Sequence, residues 1–259
     1  MNLAILQARM SSSRLPGKVL RPILGRPMIL YQVERILDAK KIDLLVVATS
    51  TDASDDCLYQ VCRAAGIRCE RGSLEDVLDR FHQVAARFAP DQVIRLTADC
   101  PLMDPEILDA TIAFHVKHDF DYTSNTLDGP TFPHGLDAEV IRFESLKRAW
   151  REARLPSERE HVTPYFYQHR NLFRVGVYRG GRDLSGYRWT VDEPEDLELV
   201  RRIYEALYPV KPGFRMADVL ALWEREPGLA LINSRFKRNE AFAKSLARDR
   251  EFLDGSPAL

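Results

Sequence analysis

Residues 3–7, LAILQ, run without a break into ARMSSSRLPGKVL at 8–20, and the reading of this junction decides the fold. The first piece is short and almost wholly apolar, as a strand buried on both faces requires. The second is a loop of small and basic residues. Beyond it, Pro27 opens a helix whose apolar positions Met28, Ile29, Val33, Ile36 and Leu37 fall largely on one face, and a second apolar run, LLVVAT at 44–49, follows. Strand, helix and strand in this order make a β-α-β unit.

The pattern repeats outward from there. Ser54 is placed to cap a helix that ends near Ala65 with Gly66 as its stop, ahead of a strand at 67–70. Ser73 is placed to cap a helix carrying Val77, Leu78, Phe81, Val84 and Ala85, after which QVIRLT at 92–97 reads as a fourth strand. Asp104 and Pro105 supply the cap and first residue of a helix through about Lys117. Alternating strands and helices predict an α/β fold with a mainly parallel sheet covered on both faces, Rossmann-like in its layering. Ligands then gather at the carboxyl ends of the strands, after Gln7, Thr49 and Thr97.

The second half is less regular. Residues 122–125, 138–143, 173–178 and 187–191 read as strands, and Ser157 with Glu160 as a capping box. From Asp192 onward the pattern is helical, at 197–207 and 217–223, and then charged over 235–252. No linker or internal repeat forces a domain boundary.

Composition excludes several classes. Among 259 residues, 37 Lys and Arg offset 38 Asp and Glu, so no global positive field exists to gather a nucleic acid. Neither a signal peptide nor a membrane-length apolar run is evident, which gives the expectation of a cytoplasmic protein without membrane insertion. Cys57, Cys62, Cys69 and Cys100 form no Cys-x-x-Cys pair and read as buried free thiols, while His115 and His118 lack the further ligands a metal site needs.

Within the first loop, Arg9, Arg14 and Lys18 stand among Ser11, Ser12, Ser13 and Gly17. Cations and backbone donors so concentrated suit a polyphosphate; a solvated basic loop is the alternative. The loop is not a Walker A motif, because Ser12 replaces its first glycine and Val19 follows Lys18. Two aspartates, Asp99 in TADCPL and Asp192 in TVDEPEDL, follow predicted strands. Their carboxylates are of the kind that holds magnesium together with substrate phosphates, although Asp99 could simply turn the chain and Asp192 could cap the next helix.

Taken in order, QARMSSSRLPGKVL, RLTADCPLMDP, FPHGLDAEV, REHVTPYFY and TVDEPEDLELV resemble the SpsF-like spore-coat branch of the sugar cytidylyltransferases, related to the CMP-Kdo and CMP-sialic acid synthetases. The resemblance spans about residues 1–208. It implies a nucleotidyltransferase domain there with an inserted dimerisation and sugar-binding arm at about 123–170, followed by a helical extension at 209–259. It also implies CTP and Mg2+, a 2-keto-3-deoxy sugar acid such as a nonulosonic acid or a Kdo-like sugar as acceptor, and a product for surface polysaccharide or glycoconjugate synthesis. Carried over by position, Arg9, Arg14 and Lys18 would hold the triphosphate, and Asp99 and Asp192 the magnesium. Ala8, Ala48, Thr49 and Ser50 would line the nucleoside pocket, with Arg71 beside it. His134, Asp137, Glu139, Arg159 and His161 would meet the sugar. Relatives carry glycine where Ser11 stands, a residue that tolerates positive φ.

The arm, with Phe132, Tyr165, Phe166 and Tyr167, also leads to the expectation of a homodimer with an apolar interface. Two other functions remain open at this point. Asp119-Phe120-Asp121 is an Asp-x-Asp of the kind a metal-dependent glycosyltransferase uses, and a catalytically silent nucleotide-binding protein would keep the same fold.

Overall fold

The computed structural model describes residues 1–236 and 240–255; the remainder of the expected 209–259 extension lies outside the described residues. The first half alternates as its periodicity predicts: β1 (Asn2–Gln7), a small antiparallel pair β2 (Pro22–Ile23) and β3 (Arg26–Pro27), α1 (Met28–Leu37), β4 (Leu44–Ser50), α2 (Asp56–Ala64), β5 (Cys69–Gly72), α3 (Val77–Phe88), β6 (Gln92–Thr97) and α4 (Pro105–Lys117). The second half adds β7 (Tyr122–Ser124), β8 (Glu139–Arg142), α5 (Phe143–Glu152), α6 (Pro156–His161), α7 (Pro164–Gln168), β9 (Val175–Val177), α8 (Pro194–Leu207), α9 (Met216–Arg225) and α10 (Glu240–Leu253).

Seven strands form one sheet in the order β5-β4-β1-β6-β8-β7-β9, parallel except for β8, which runs against both neighbours. Residues alternate between the two faces along each strand. Ala4, Leu6, Val47, Ile94 and Leu96 therefore pack under α1 and α4, while Leu3, Ile5, Val46 and Val93 pack under α3 and α5. The carboxyl ends of β1, β4, β6 and β7 share one edge, and the loops that matter converge there.

Several local expectations are corrected. Helix starts go to aspartates: Asp52 accepts from the Ser54 N–H at 2.9 Å, and Asp76 rather than Ser73 caps α3, accepting from the Asp79 N–H at 2.9 Å. Ser157 and Glu160 form no capping box. Glu158 instead accepts from the backbone of Arg154 (2.9 Å) and Leu155 (3.0 Å), and the Ser157 N–H donates to Asp249 of α10 at 2.8 Å. Residues 187–191 are not a strand but make one isolated bridge, His134 to Arg188. Their apolar side chains, Trp189 and Val191, serve a different purpose, packing against Leu199, Leu222 and Trp223. Not every cysteine is buried, since Cys57 is exposed.

Within the 123–170 stretch, β7 and β8 are interior strands of the sheet. Of the aromatics expected at a dimer interface, Phe132, Tyr165 and Phe166 are buried within the protomer and Tyr167 is half-buried. Residues beyond 208 share the main core too, through Phe214, Val219, Leu222 and Leu229. Among the described residues, no helix is long and apolar enough to cross a membrane.

Candidate active site

The loop after β1 is shaped by a few backbone contacts. The Gly17 and Ser12 N–H groups donate to the Met10 carbonyl at 3.0 and 2.9 Å, and Gly17 takes φ +68°, a conformation glycine accepts without strain. Ser11 is not among the residues with positive φ, so the absence of glycine there leaves the loop intact. Asp55, missed in the sequence, anchors the whole turn. Fully buried, it accepts from the Met10 N–H (2.6 Å), the Ser50 N–H (3.1 Å) and the Ser50 hydroxyl (2.5 Å), pinning the loop to the end of β4. Its substitution by alanine leaves buried donors without acceptors and is expected to cost about 3 kcal/mol, read as a lowered midpoint in urea unfolding. Asp55→Asn, which keeps one acceptor oxygen, should lose less.

Lys18 is the centre of the site. Its ammonium donates to Asp99 Oδ2 at 3.0 Å, to Asp192 Oδ1 at 2.8 Å and to the Val191 carbonyl at 2.9 Å. Burial opposes the charge on Lys18, but Asp99 and Asp192 outweigh it and raise the pKa above the ordinary lysine value. Burial likewise opposes the charge on Asp99, yet Lys18 and the Thr97 hydroxyl hold its carboxyl well below the usual range. Arg14 reaches Asp192 Oδ1 at 2.9 Å and Glu193 at 3.2 Å. Arg9 lines the same cavity and, among the described residues, has no side-chain hydrogen bond or ion pair.

Asp192 is not a helix cap. The side chain of Asp196, in the first turn of α8, accepts from the N–H groups of Asp192 and Glu193, both at 2.9 Å, which leaves the Asp192 carboxylate to face the cations. Arg188 grips Asp196 through two bonds of 2.8 Å and reaches Asp192 Oδ2 at 3.3 Å. Neither Arg188 nor Asp196 was evident from sequence.

Ala8, Ser12 and Ser13 line this cavity with Thr97, whereas Ser11 is exposed and does not line it. Ala48, Thr49 and Ser50 are fully buried in β4 and do not line it. Arg71 is occupied nearby, donating to the carbonyls of Ser50 (2.7 Å) and Asp52 (3.0 Å) and pairing with Asp56 (2.7 Å).

A second cavity adjoins the first at Thr97 and is lined by Arg95, Asp137, Glu139, His161 and Tyr167. Three predicted sugar contacts thus meet. Glu139 is held by Arg95 and by the Tyr122 hydroxyl. His161 is kept below the ordinary histidine pKa by burial, with Arg95 and Arg9 adding repulsion, so it stands neutral at pH 7. His134 flanks the pair: the Trp189 N–H donates to its carbonyl at 2.6 Å, and its ring lies 3.7 Å from Asp137. Gly135 makes this docking fit, since a Cβ there would lie 2.5 Å from the Thr190 nitrogen. Arg159 does not join them. It ties α6 to the start of α3 through Asp76 (Nε, 3.0 Å) and the Trp150 carbonyl (2.8 Å).

The Asp-x-Asp lies at the opposite edge of the sheet, before β7. Asp119 pairs with Arg142 (2.5 Å) and Arg174 (3.2 Å), and Asp121 accepts from the Ser145 hydroxyl (3.0 Å) and the Arg174 N–H (2.8 Å). These carboxylates brace strand ends, far from the cationic cavity, and the glycosyltransferase alternative loses its motif.

The family model described as cytidylyltransferase matches residues 3–211, a span holding both cavities. The chain belongs to the cytidylyltransferase family. This cytidylyltransferase is 37% identical over 235 residues to the spore coat polysaccharide biosynthesis protein SpsF of Bacillus subtilis, covering 88% of this chain and 96% of that one. A solved cytidylyltransferase from Leptospira borgpetersenii superposes with a TM-score of 0.85 at 29% identity, covering 92% of this chain and 99% of the other. A 3-deoxy-manno-octulosonate cytidylyltransferase from Geobacter sulfurreducens is 38% identical over 112 residues, 42% of this chain and 43% of its own. The enzyme is therefore a nucleotidyltransferase with the fold its sequence pattern implies.

Proposed function

We propose that the protein transfers CMP from CTP to a sugar hydroxyl with release of pyrophosphate, and that the acceptor is a 2-keto-3-deoxy sugar acid destined for a surface polysaccharide or glycoconjugate. The observation that carries the reading is the convergence of Asp99 and Asp192 on one point, occupied by the Lys18 ammonium, beside Arg9, whose side chain makes no hydrogen bond or ion pair among the described residues. The partial match to a 3-deoxy-manno-octulosonate cytidylyltransferase supports the class of acceptor.

Arg9, Arg14 and Lys18 would offset the triphosphate charge, and the loop of serines would offer backbone donors to its oxygens. Two carboxylates directed at a single cation are hard oxygen donors of the type magnesium takes, so Asp99 and Asp192 are the residues that would hold it. When bound, magnesium would neutralise phosphate charge and acidify an attacking hydroxyl. The sugar would enter from the second cavity, where Asp137, Glu139 and the neutral His161 offer hydrogen bonds to hydroxyls and Arg9 stands close to both sites. Positioning and charge stabilisation then do most of the work of attack at the α-phosphorus.

Pyrophosphate release from each of the four common nucleoside triphosphates, with magnesium and a panel of sugar acids, tests the reading. Release is expected with CTP and only when an acceptor is present. Release with another triphosphate in preference to CTP, or none with any acceptor, refutes it.

A further inference from the structure

The family match ends at residue 211, yet the chain continues through α9 and a short 3-10 turn to Asn233, which returns to the base of the site. Asn233 is buried, with its amide nitrogen 2.9 Å from the Arg188 carbonyl and 2.8 Å from Asp196 Oδ1. Those are the two residues that orient Asp192. Asp196 holds the backbone of the Asp192 turn, and Arg188 reaches the far oxygen of its carboxylate, opposite the one that Lys18 and Arg14 contact.

The chemistry of Asn233 suits this place. Its two N–H donors satisfy two acceptors at once without adding charge beside a buried ion pair. Arg188 bonds both oxygens of Asp196, and Asn233 adds a further donor at Oδ1. Without Asn233, one Asp196 oxygen loses a donor, and the joint between the 188–192 turn and α8 loses one of the groups that tie its two sides together.

We infer that Asn233 is a positioning residue for Asp192, and that the segment beyond the family match is in this way part of the active site. The inference rests on reading Asp99 and Asp192 as the magnesium carboxylates. Partners placed behind metal ligands commonly govern affinity by about 10- to 100-fold.

Manganese binding in the presence of CTP, followed by electron paramagnetic resonance, tests it with wild type, Asn233→Ala and Asn233→Asp. The alanine variant is expected to weaken manganese binding by about tenfold. Asn233→Asp preserves the shape but sets a second carboxylate against Asp196, and should weaken it further. Thermal melting of the same samples provides the control. If both variants bind manganese with CTP as wild type does, whatever their melting temperatures, Asn233 serves packing alone and the inference is wrong. If wild type takes no manganese with CTP, the metal reading of Asp192 fails, and this inference falls with it.

Discussion

Asp192→Asn is expected to lower kcat/KM for CTP by about 100- to 1,000-fold while leaving the melting temperature close to that of wild type. The two halves of this result have separate causes. Glu193, not Asp192, stands at the N-cap of α8, and Asp196 holds the turn through the Asp192 and Glu193 N–H groups, so the amide can replace the carboxylate without unravelling the helix. What the substitution removes is charge at the point where Lys18 and Arg14 both reach Asp192 Oδ1. Steady-state kinetics over a magnesium titration checks it. Unaltered magnesium dependence would mean that Asp192 only holds Lys18 and Arg14 in place.

Lys18→Ala is expected to reduce turnover by a similar factor, about 100- to 1,000-fold, and to change how the protein responds to metal alone. In the structure the Lys18 ammonium already neutralises Asp99 and Asp192, and its side chain is 12% exposed, hardly the solvated loop residue that the sequence allowed. A divalent cation added without nucleotide must compete with it. On the proposed reading, the phosphates of CTP would offer Lys18 an alternative partner and free the carboxylates. Alanine leaves two carboxylates facing each other, a destabilising arrangement that a divalent cation relieves. Magnesium alone should then raise the melting temperature of Lys18→Ala, by about 5–10 °C at roughly 100 times its Kd, and leave wild type nearly unchanged. Equal shifts in the two proteins would show that Lys18 does not occupy the metal position.

The parts of the fold that the sequence made legible were those set by local pattern. The apolar runs that became β1, β4 and β6 are too short and too uniform for surface helices, and Asp104 followed by Pro105 marks the start of α4 to the residue. Where two local signals compete, the sequence does not say which wins: Ser54 and Ser73 suit caps for the helices after β4 and β5, but Asp52 and Asp76 stand nearby with the stronger acceptor and take that place. The segment 187–191 misled for another reason. Its alternation of Tyr, Trp and Val is strand-like, but the neighbours that bury those rings are helices far along the chain, which periodicity does not report.

In the site, the charged loop and Asp99 could be read because each follows a buried strand, β1 and β6, whereas Asp192 was found through a strand-like stretch at 187–191 that forms no strand. Asp55, Arg188, Asp196 and Asn233 could not. Asp55 meets Met10 across 45 residues, and Arg188 meets Asn233 across 45, so their importance lies in contacts that only the folded chain creates. Arg159 fails in the opposite direction, standing in a motif that marks the family while its guanidinium joins two helices.

The most direct measurement follows the α-phosphate itself. With CTP radiolabelled at that position, magnesium and the acceptor that supports pyrophosphate release, the label is expected to appear in a sugar phosphodiester while the released pyrophosphate stays unlabelled. Label recovered only as CTP, or as CDP or free CMP with no sugar conjugate, would contradict transfer of the nucleotidyl group to a sugar.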